Sequence, residues 1–296
     1  KIIPIESASL SVASSAVLYG LSVYTVFPII VTPQGLAAFR LRDHYARLIN
    51  SARIIGIDTF QPEWDFSRFK NTVTELAKAN AVERNVFVRA TVHVSDLIPG
   101  TRSRGLGTTL SVFIYDANPI IPQGGARLKT SVWRRVPDYA IPSRAKVNGA
   151  YVNSVLGRQD ALDSGYDDCV FLDNDGHVCE LSAANIFIIR NGKIITPGHS
   201  GDILEGINRM TILELAQSMG IPAEERPIDL TELYVADEIF ACGTSSFVAP
   251  IIQIDARKIG TGTIGPITDK IKAVYSNLMS GDASEALFKA HFTLLI

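Results

Sequence analysis

Cysteine is scarce in this chain of 296 residues: Cys169, Cys179 and Cys242 are the only three. Their odd number and wide spacing exclude a disulfide framework and a zinc site, and fit a reducing, cytoplasmic setting. An excess of one charge is also missing, since 28 basic residues face 30 acidic ones for a net charge of −2. That balance gives no nucleic acid and no membrane surface a reason to bind, and leaves a small molecule as the expected ligand. There is no long apolar run either. Residues 7–39 carry no charge, but the apolar part, Ala16 to Val31, is interrupted by Gly20, Ser22 and Pro28. It falls short of the roughly 20 residues a spanning helix needs. Its β-branched and aromatic content suits buried strands instead. Nothing at the start has the form of a cleaved signal peptide.

What the chain does have is an ordinary globular composition, 47% hydrophobic and 20% charged, with enough length for a sizeable core and two domains. Leu41, Tyr45, Leu48, Ile49, Ala52 and Ile55 recur at helical spacing up to Gly56, and a second helix is predicted over 66–81. VFVRATVHV alternates strictly, with Val86, Val88, Ala90, Val92 and Val94 on one face and Phe87, Arg89, Thr91 and His93 on the other. Another strand follows from Leu110. The Pro- and Gly-rich stretch 117–126 marks a boundary, dividing the chain into a small α/β domain (1–117), a loop (118–127) and a larger α/β domain (128–296). Beyond it we expect a strand over 128–135, a helix over 152–164, and a meander whose turns are Asp175-Gly176 and Asn191-Gly192. A helix after Gly206 and a strand running into Gly243 complete the reading.

Five features could carry chemistry. Lys146 lies in RAKVNGAYVNS among Ala145, Val147, Asn148, Gly149 and Ala150, with no acid until Asp160. A lysine held among small and apolar groups has a lowered pKa and can form Schiff bases with carbonyl compounds, although most such lysines are ordinary loop residues. Glu180 sits within the meander, away from its turns, facing either solvent or a cationic partner. Arg89 in its mixed strand face is either an edge charge or a carboxylate receptor. The helix start after Gly206 and the loop Gly243, Thr244, Ser245, Ser246 offer amides and hydroxyls to an anion, though many helices simply begin after a glycine.

The combination of an arginine on an early helix, an isolated lysine, a glutamate before an Ala/Ser-rich strand, a Gly-Ile-x-Arg helix start and a Gly-Thr-Ser loop resembles the class IV, or fold type IV, aminotransferases across about residues 16–280. The resemblance implies two α/β domains with pyridoxal 5'-phosphate (PLP) in the cleft between them, in a homodimer or higher homo-oligomer. It implies that Lys146 binds the cofactor covalently and shuttles protons. By the same resemblance Arg47, the amides of Ile207 and Asn208, and Thr244 hold the phosphate, Tyr151 the ring hydroxyl and Glu180 the pyridine nitrogen, with Leu204 against the ring.

Substrate choice is implied less uniformly. Phe87-Val88-Arg89 resembles an element of the branched-chain enzymes that organises an α-carboxylate. Tyr24-Thr25-Val26 followed by Pro28 stands where those enzymes carry an acid, a glycine and a base, which is closer to the (R)-amine transaminases and implies a less polar pocket. Arg102 and Arg104 lie in a loop that in the family reaches the partner subunit's site; with Thr244 and Ser245 they complete the candidate substrate contacts. The resulting expectation is a branched-chain aminotransferase passing amino groups from L-amino acids to 2-oxoglutarate in ping-pong order, with (R)-amines as further donors. The alternatives are an (R)-amine or D-amino acid transaminase, and a binding protein that has kept the fold and lost the chemistry.

Overall fold

A computed structural model describes residues 1–281 and 284–296. In chain order its first elements are α1 (Ser15–Leu18), β1 (Ser22–Thr32), β2 (Gly35–Phe39), α2 (Leu41–Ile54), α3 (Phe60–Glu63), α4 (Phe66–Ala79), β3 (Val86–Val94) and β4 (Thr108–Asp116). Next come β5 (Ala126–Thr130), α5 (Tyr151–Asp163), β6 (Asp168–Leu172), β7 (Val178–Leu181), β8 (Asn185–Arg190) and β9 (Lys193–Thr196). The remainder is α6 (Ile207–Ser218), β10 (Ala223–Glu225), α7 (Leu230–Leu233), β11 (Glu238–Gly243), β12 (Phe247–Ile254), β13 (Arg257–Lys258), α8 (Pro266–Met279), α9 (Glu285–His291) and β14 (Phe292–Leu294).

These elements form two compact units. The first comprises Lys1–Ala117, Ala145–Ala150 and Leu278–Ile296. Its antiparallel sheet runs β14-β2-β1-β3-β4. The alternation of β3 explains its packing: Val86, Val88, Ala90, Val92 and Val94 are buried in one core with Leu48 and Ala52 of α2 and Phe69 and Val73 of α4. Helix α4 begins where Asp65 accepts a hydrogen bond from the Arg68 amide, a side-chain cap on an otherwise orphaned donor.

The second unit comprises Asn118–Arg144 and Tyr151–Asn277. Its nine-stranded sheet runs β10-β9-β8-β11-β12-β5-β6-β7, with β13 on β12. A further pairing of Glu180 with Asn185 joins β7 back to β8, so strands β8, β11, β12, β5, β6 and β7 close into a ring. Closure leaves those six strands no open edge. Phe187 and Phe240 stack across neighbouring strands with centroids 4.9 Å apart.

Several expectations from sequence are revised. The apolar N-terminal stretch is not all strand: one helical turn spans Ser15–Leu18, and β1 begins after Gly20, whose φ of +65° only glycine adopts readily. The strand expected over 128–135 stops at Thr130, because the Ser131 hydroxyl accepts from the Trp133 amide and turns the chain. The backbone rejoins β6 at Arg135, whose amide donates to the Leu172 carbonyl. The strand into Gly243 is preceded by the helical turn α7. The linear division at 117 also differs from the contact pattern, which returns 145–150 and 278–296 to the first unit. Backbone pairing of the first segment with β1, and of β14 with β2, accounts for that return.

Helix α5 offers a packing test. A Cβ on Gly157 would lie 2.3 Å from Phe171 Cζ and 3.0 Å from Cys169 Sγ. Gly157→Ala in a helix ordinarily stabilises, but here overpacking should cost about 1–3 kcal/mol and lower the thermal midpoint by roughly 2–10 °C. Differential scanning calorimetry of the variant checks the sign.

Candidate active site

The first unit fixes Lys146 by its backbone. Its amide donates to Ser51 Oγ of α2 at 3.0 Å. Its carbonyl accepts from the Tyr24 amide of β1 at 3.0 Å, and Asn148 N–H reaches the Ser22 carbonyl at 2.9 Å. The stretch thus pairs with β1 like a short extra strand, with Ala145 and Val147 buried in the core. A lysine so held cannot drift with a loop.

One aromatic ring gathers the polar groups here. The Arg89 guanidinium lies 3.6 Å from the centroid of Tyr24, and Lys146 Nζ lies 4.9 Å from the same centroid. Arg89 is further held by Asn148 Oδ1 at 3.1 Å and Thr91 Oγ1 at 3.3 Å. Side chains alternate along β1, and its register places Val26 opposite Arg89 and Tyr24 opposite Thr91. Thr25 therefore belongs to the other face, where it is fully buried and bonds His44. Phe87 is fully buried against Tyr115. Arg102 and Arg104 are exposed on the β3–β4 loop.

Helix α2 carries Arg47, half-buried, one turn before Ser51 and one turn after His44. His44 is fully buried, with Nδ1 2.8 Å from Thr25 Oγ1 and Nε2 without a hydrogen-bond partner among the described residues. Burial, then the cations Arg47, Lys146 and Arg40, hold its imidazole well below the usual histidine range.

The second unit holds Glu180, which is 4% exposed. Its Oε1 meets Arg135 Nη2 at 2.5 Å, and Oε2 accepts from Asn185 Nδ2 at 3.0 Å and the Leu204 amide at 3.2 Å. Asn185 also donates to the Leu204 carbonyl at 3.0 Å, so one amide braces the carboxylate and the loop before α6. That loop leads to Gly206, which precedes α6 without a side-chain cap. The first amides of a helix have no partner within it, so those of Ile207 and Asn208 are placed for an anion. Thr244 and Ser245 lie half-buried in the turn between β11 and β12, beside Ser246, whose Oγ is buried without a hydrogen-bond partner among the described residues. Tyr151, half-buried, opens α5.

These groups fit PLP. The buried carboxylate already paired with a cation suits a ring nitrogen, and the uncapped helix start with the orphaned Ser246 hydroxyl suits a phosphate. Sequence reasoning missed Arg135, Asn185 and Ser51. Asn185, in the strand-forming run SAANIF, carried the one usable signal, since asparagine is depleted inside strands.

Two outcomes test this geometry. A Cβ on Gly206 would come 2.0 Å from Asn185 Oδ1; Gly206→Ala should displace Asn185 and weaken PLP binding about 10-fold, read by fluorescence titration. His44 bears on acid stability. An unfolded histidine takes up a proton near pH 6.5 while the buried one does not, so stability is complete above that pH and falls below it by up to about 1.4 kcal/mol per unit. The thermal midpoint of His44→Gln should therefore fall less than that of the parent between pH 7 and pH 5.

The family described as amino-transferase class IV matches residues 22–254. A probable branched-chain-amino-acid aminotransferase of Aquifex aeolicus is 36% identical over 285 residues, covering 95% of this chain and 91% of that protein. The crystal structure of a branched-chain aminotransferase from Thermoproteus uzoniensis with norvaline has a TM-score of 0.94 and 33% identity, covering 100% of this chain and 97% of that one. The branched-chain amino acid aminotransferase from Thermobaculum terrenum, in its PLP-form (holo-form), has a TM-score of 0.91 and 28% identity, covering 100% of this chain and 96% of that one.

Proposed function

Because the chain belongs to the class IV aminotransferases, we propose that it is a PLP-dependent branched-chain-amino-acid aminotransferase, passing amino groups from L-amino acids to 2-oxoglutarate. The observation that carries this reading is the shared ring of Tyr24. An amine, Lys146 Nζ, and a guanidinium, Arg89, lie 4.9 Å and 3.6 Å from one aromatic centroid, which suits a substrate carrying its amino group and carboxylate on one carbon. The branched-chain assignment is supported by the names of the relatives and by the apolar Val26, which shares the Tyr24 and Arg89 face of the sheet.

When bound, PLP supplies a ring that accepts the electrons left as the α-proton departs. The residues divide the remaining work. Arg47, the amides of Ile207 and Asn208, and Thr244 would bind the phosphate, a charge of nearly two spread over several donors. Tyr151 would hold the ring hydroxyl, Glu180 the ring nitrogen, and Leu204 would pack on the ring. With its amine free, Lys146 would take the substrate's α-proton on Nζ as general base and, as general acid, give it to the cofactor carbon on the other side of the substrate nitrogen. Arg89, Tyr24 and Phe87 would orient the substrate carboxylate and side chain, and Thr244 and Ser245 are further candidate substrate contacts. The 2-oxo acid then occupies the same place for the reverse transfer, which makes the kinetics ping-pong.

We infer a homodimer. Val152, Val155 and Leu156 are exposed at successive turns of α5, and such a stripe is ordinarily covered by a partner. Arg102 and Arg104 would then serve the second subunit's substrate. The three free, buried cysteines support a cytoplasmic setting.

Steady-state rates with L-leucine, D-alanine and (R)-1-phenylethylamine against 2-oxoglutarate test the substrate. L-leucine should be the fastest donor, and no turnover of it would overturn the assignment. Lys146→Ala should still bind PLP, lose the yellow absorbance of the lysine-bound cofactor, and lose turnover by about 10²–10⁴-fold or more.

A further inference from the structure

Glu180 is a carboxylate with almost no access to water, and such a group persists as an anion only where donors surround it. Arg135 brings it a positive charge directly, through Nη2 to Oε1. The guanidinium is fixed in turn. Its Nε faces the Asp202 carbonyl at 3.4 Å, its Nη1 faces Ser154 Oγ at 3.5 Å, and its carbon lies 5.9 Å from the Phe171 ring centroid. The Arg135 amide is anchored on the Leu172 carbonyl of β6. Asp202, which receives Nε, has a φ of +51° and also accepts from the Asp138 amide on Oδ1 at 2.9 Å. An arginine tied at its backbone and at all three guanidinium nitrogens is built to hold one direction.

We infer that Arg135 is a positioning residue for the cofactor ring: it fixes the plane of the Glu180 carboxylate and keeps that group a poor proton acceptor. The inference rests on the reading that Glu180 meets the ring nitrogen. Its logic is a competition for one proton. If the proton moved from the ring nitrogen to Glu180, the ion pair with Arg135 would be discharged in a nearly dry site, and the cation would lose its partner. With Arg135 present the proton stays on the ring, where it makes the ring a better electron acceptor. With Arg135 replaced by a neutral group, the buried carboxyl gains from being neutral, and the proton shifts toward it. Asn185 and the Leu204 amide orient Oε2, but neither is charged, so neither replaces this effect.

The test uses holoenzyme reconstituted with PLP labelled with ¹⁵N in the ring, and reads the ring-nitrogen resonance. In the parent it should lie on the protonated side. In Glu180→Gln and in Arg135→Gln it should move toward unprotonated pyridine, with PLP affinity in Arg135→Gln about 10-fold weaker. Arg135→Lys keeps the charge but not the planar fork and should fall between. A shift in Glu180→Gln with no shift in any folded Arg135 variant overturns the inference and leaves the role of Glu180 standing. No shift in either overturns both. Should Arg135→Gln fail to fold, the neutral Arg135→Met decides: a shift toward unprotonated pyridine supports the role, and the parent value ends it.

Discussion

An amine proposed to react must be immobile at its backbone and mobile at its tip, and the first unit meets that constraint for Lys146 by treating its stretch as part of the sheet. Ser51 takes the Lys146 amide, the Tyr24 amide takes its carbonyl, and Val147 pairs with Val23. The same two elements also carry Tyr24, whose ring centroid lies 4.9 Å from the amine, and Arg47 and His44. The chain leaves its second unit for six residues to make this pairing and then resumes it at Tyr151. A lysine on an ordinary loop of the second unit would keep its side chain but lose both anchors.

The second unit solves a different problem, a buried negative charge. Closing the sheet through β7 and β8 puts Glu180 opposite Asn185, so the pair that completes the ring of strands also completes the hydrogen bonds of the carboxylate. Burying an anion this deeply costs several kcal/mol unless donors offset it; here a guanidinium, a side-chain amide and a backbone amide do so. The arrangement links structure to chemistry directly. Loosening the strand closure would move the carboxylate, and losing the carboxylate would leave Arg135 as the uncompensated charge.

Local pattern made much of the first unit, and the turns of the second, legible. The 3.6-residue spacing of α2 and α4, the alternation of β3 and the Asp-Gly and Asn-Gly turns each express an interaction within a few residues, and the structure has those elements within two residues of the expected bounds. Lys146 stood out because its neighbours are small and uncharged. Arg135 and Asn185 did not. Arg135 lies 45 positions from its carboxylate partner and inside what read as a strand, and Ser51 reads only as one more polar residue on a helix. Strand β14 has three residues, too few for a period of two to be visible, so its place beside β2 comes from tertiary pairing alone.

The departure at positions 24–28 shows why facing matters more than identity. Read as a string, the replacement of an acid by Thr25 suggests a less polar pocket. Alternation along β1 assigns Thr25 to the core face, where its hydroxyl bonds His44 behind Lys146, and leaves Tyr24 and Val26 on the face of Arg89. An acid at position 25 would sit beside a buried imidazole and draw it toward its charged form; a hydroxyl leaves it neutral. The polarity of the Arg89 face is therefore set by Tyr24, Val26, Thr91 and Asn148, and what Thr25 changes is the charge state of the layer beneath α2.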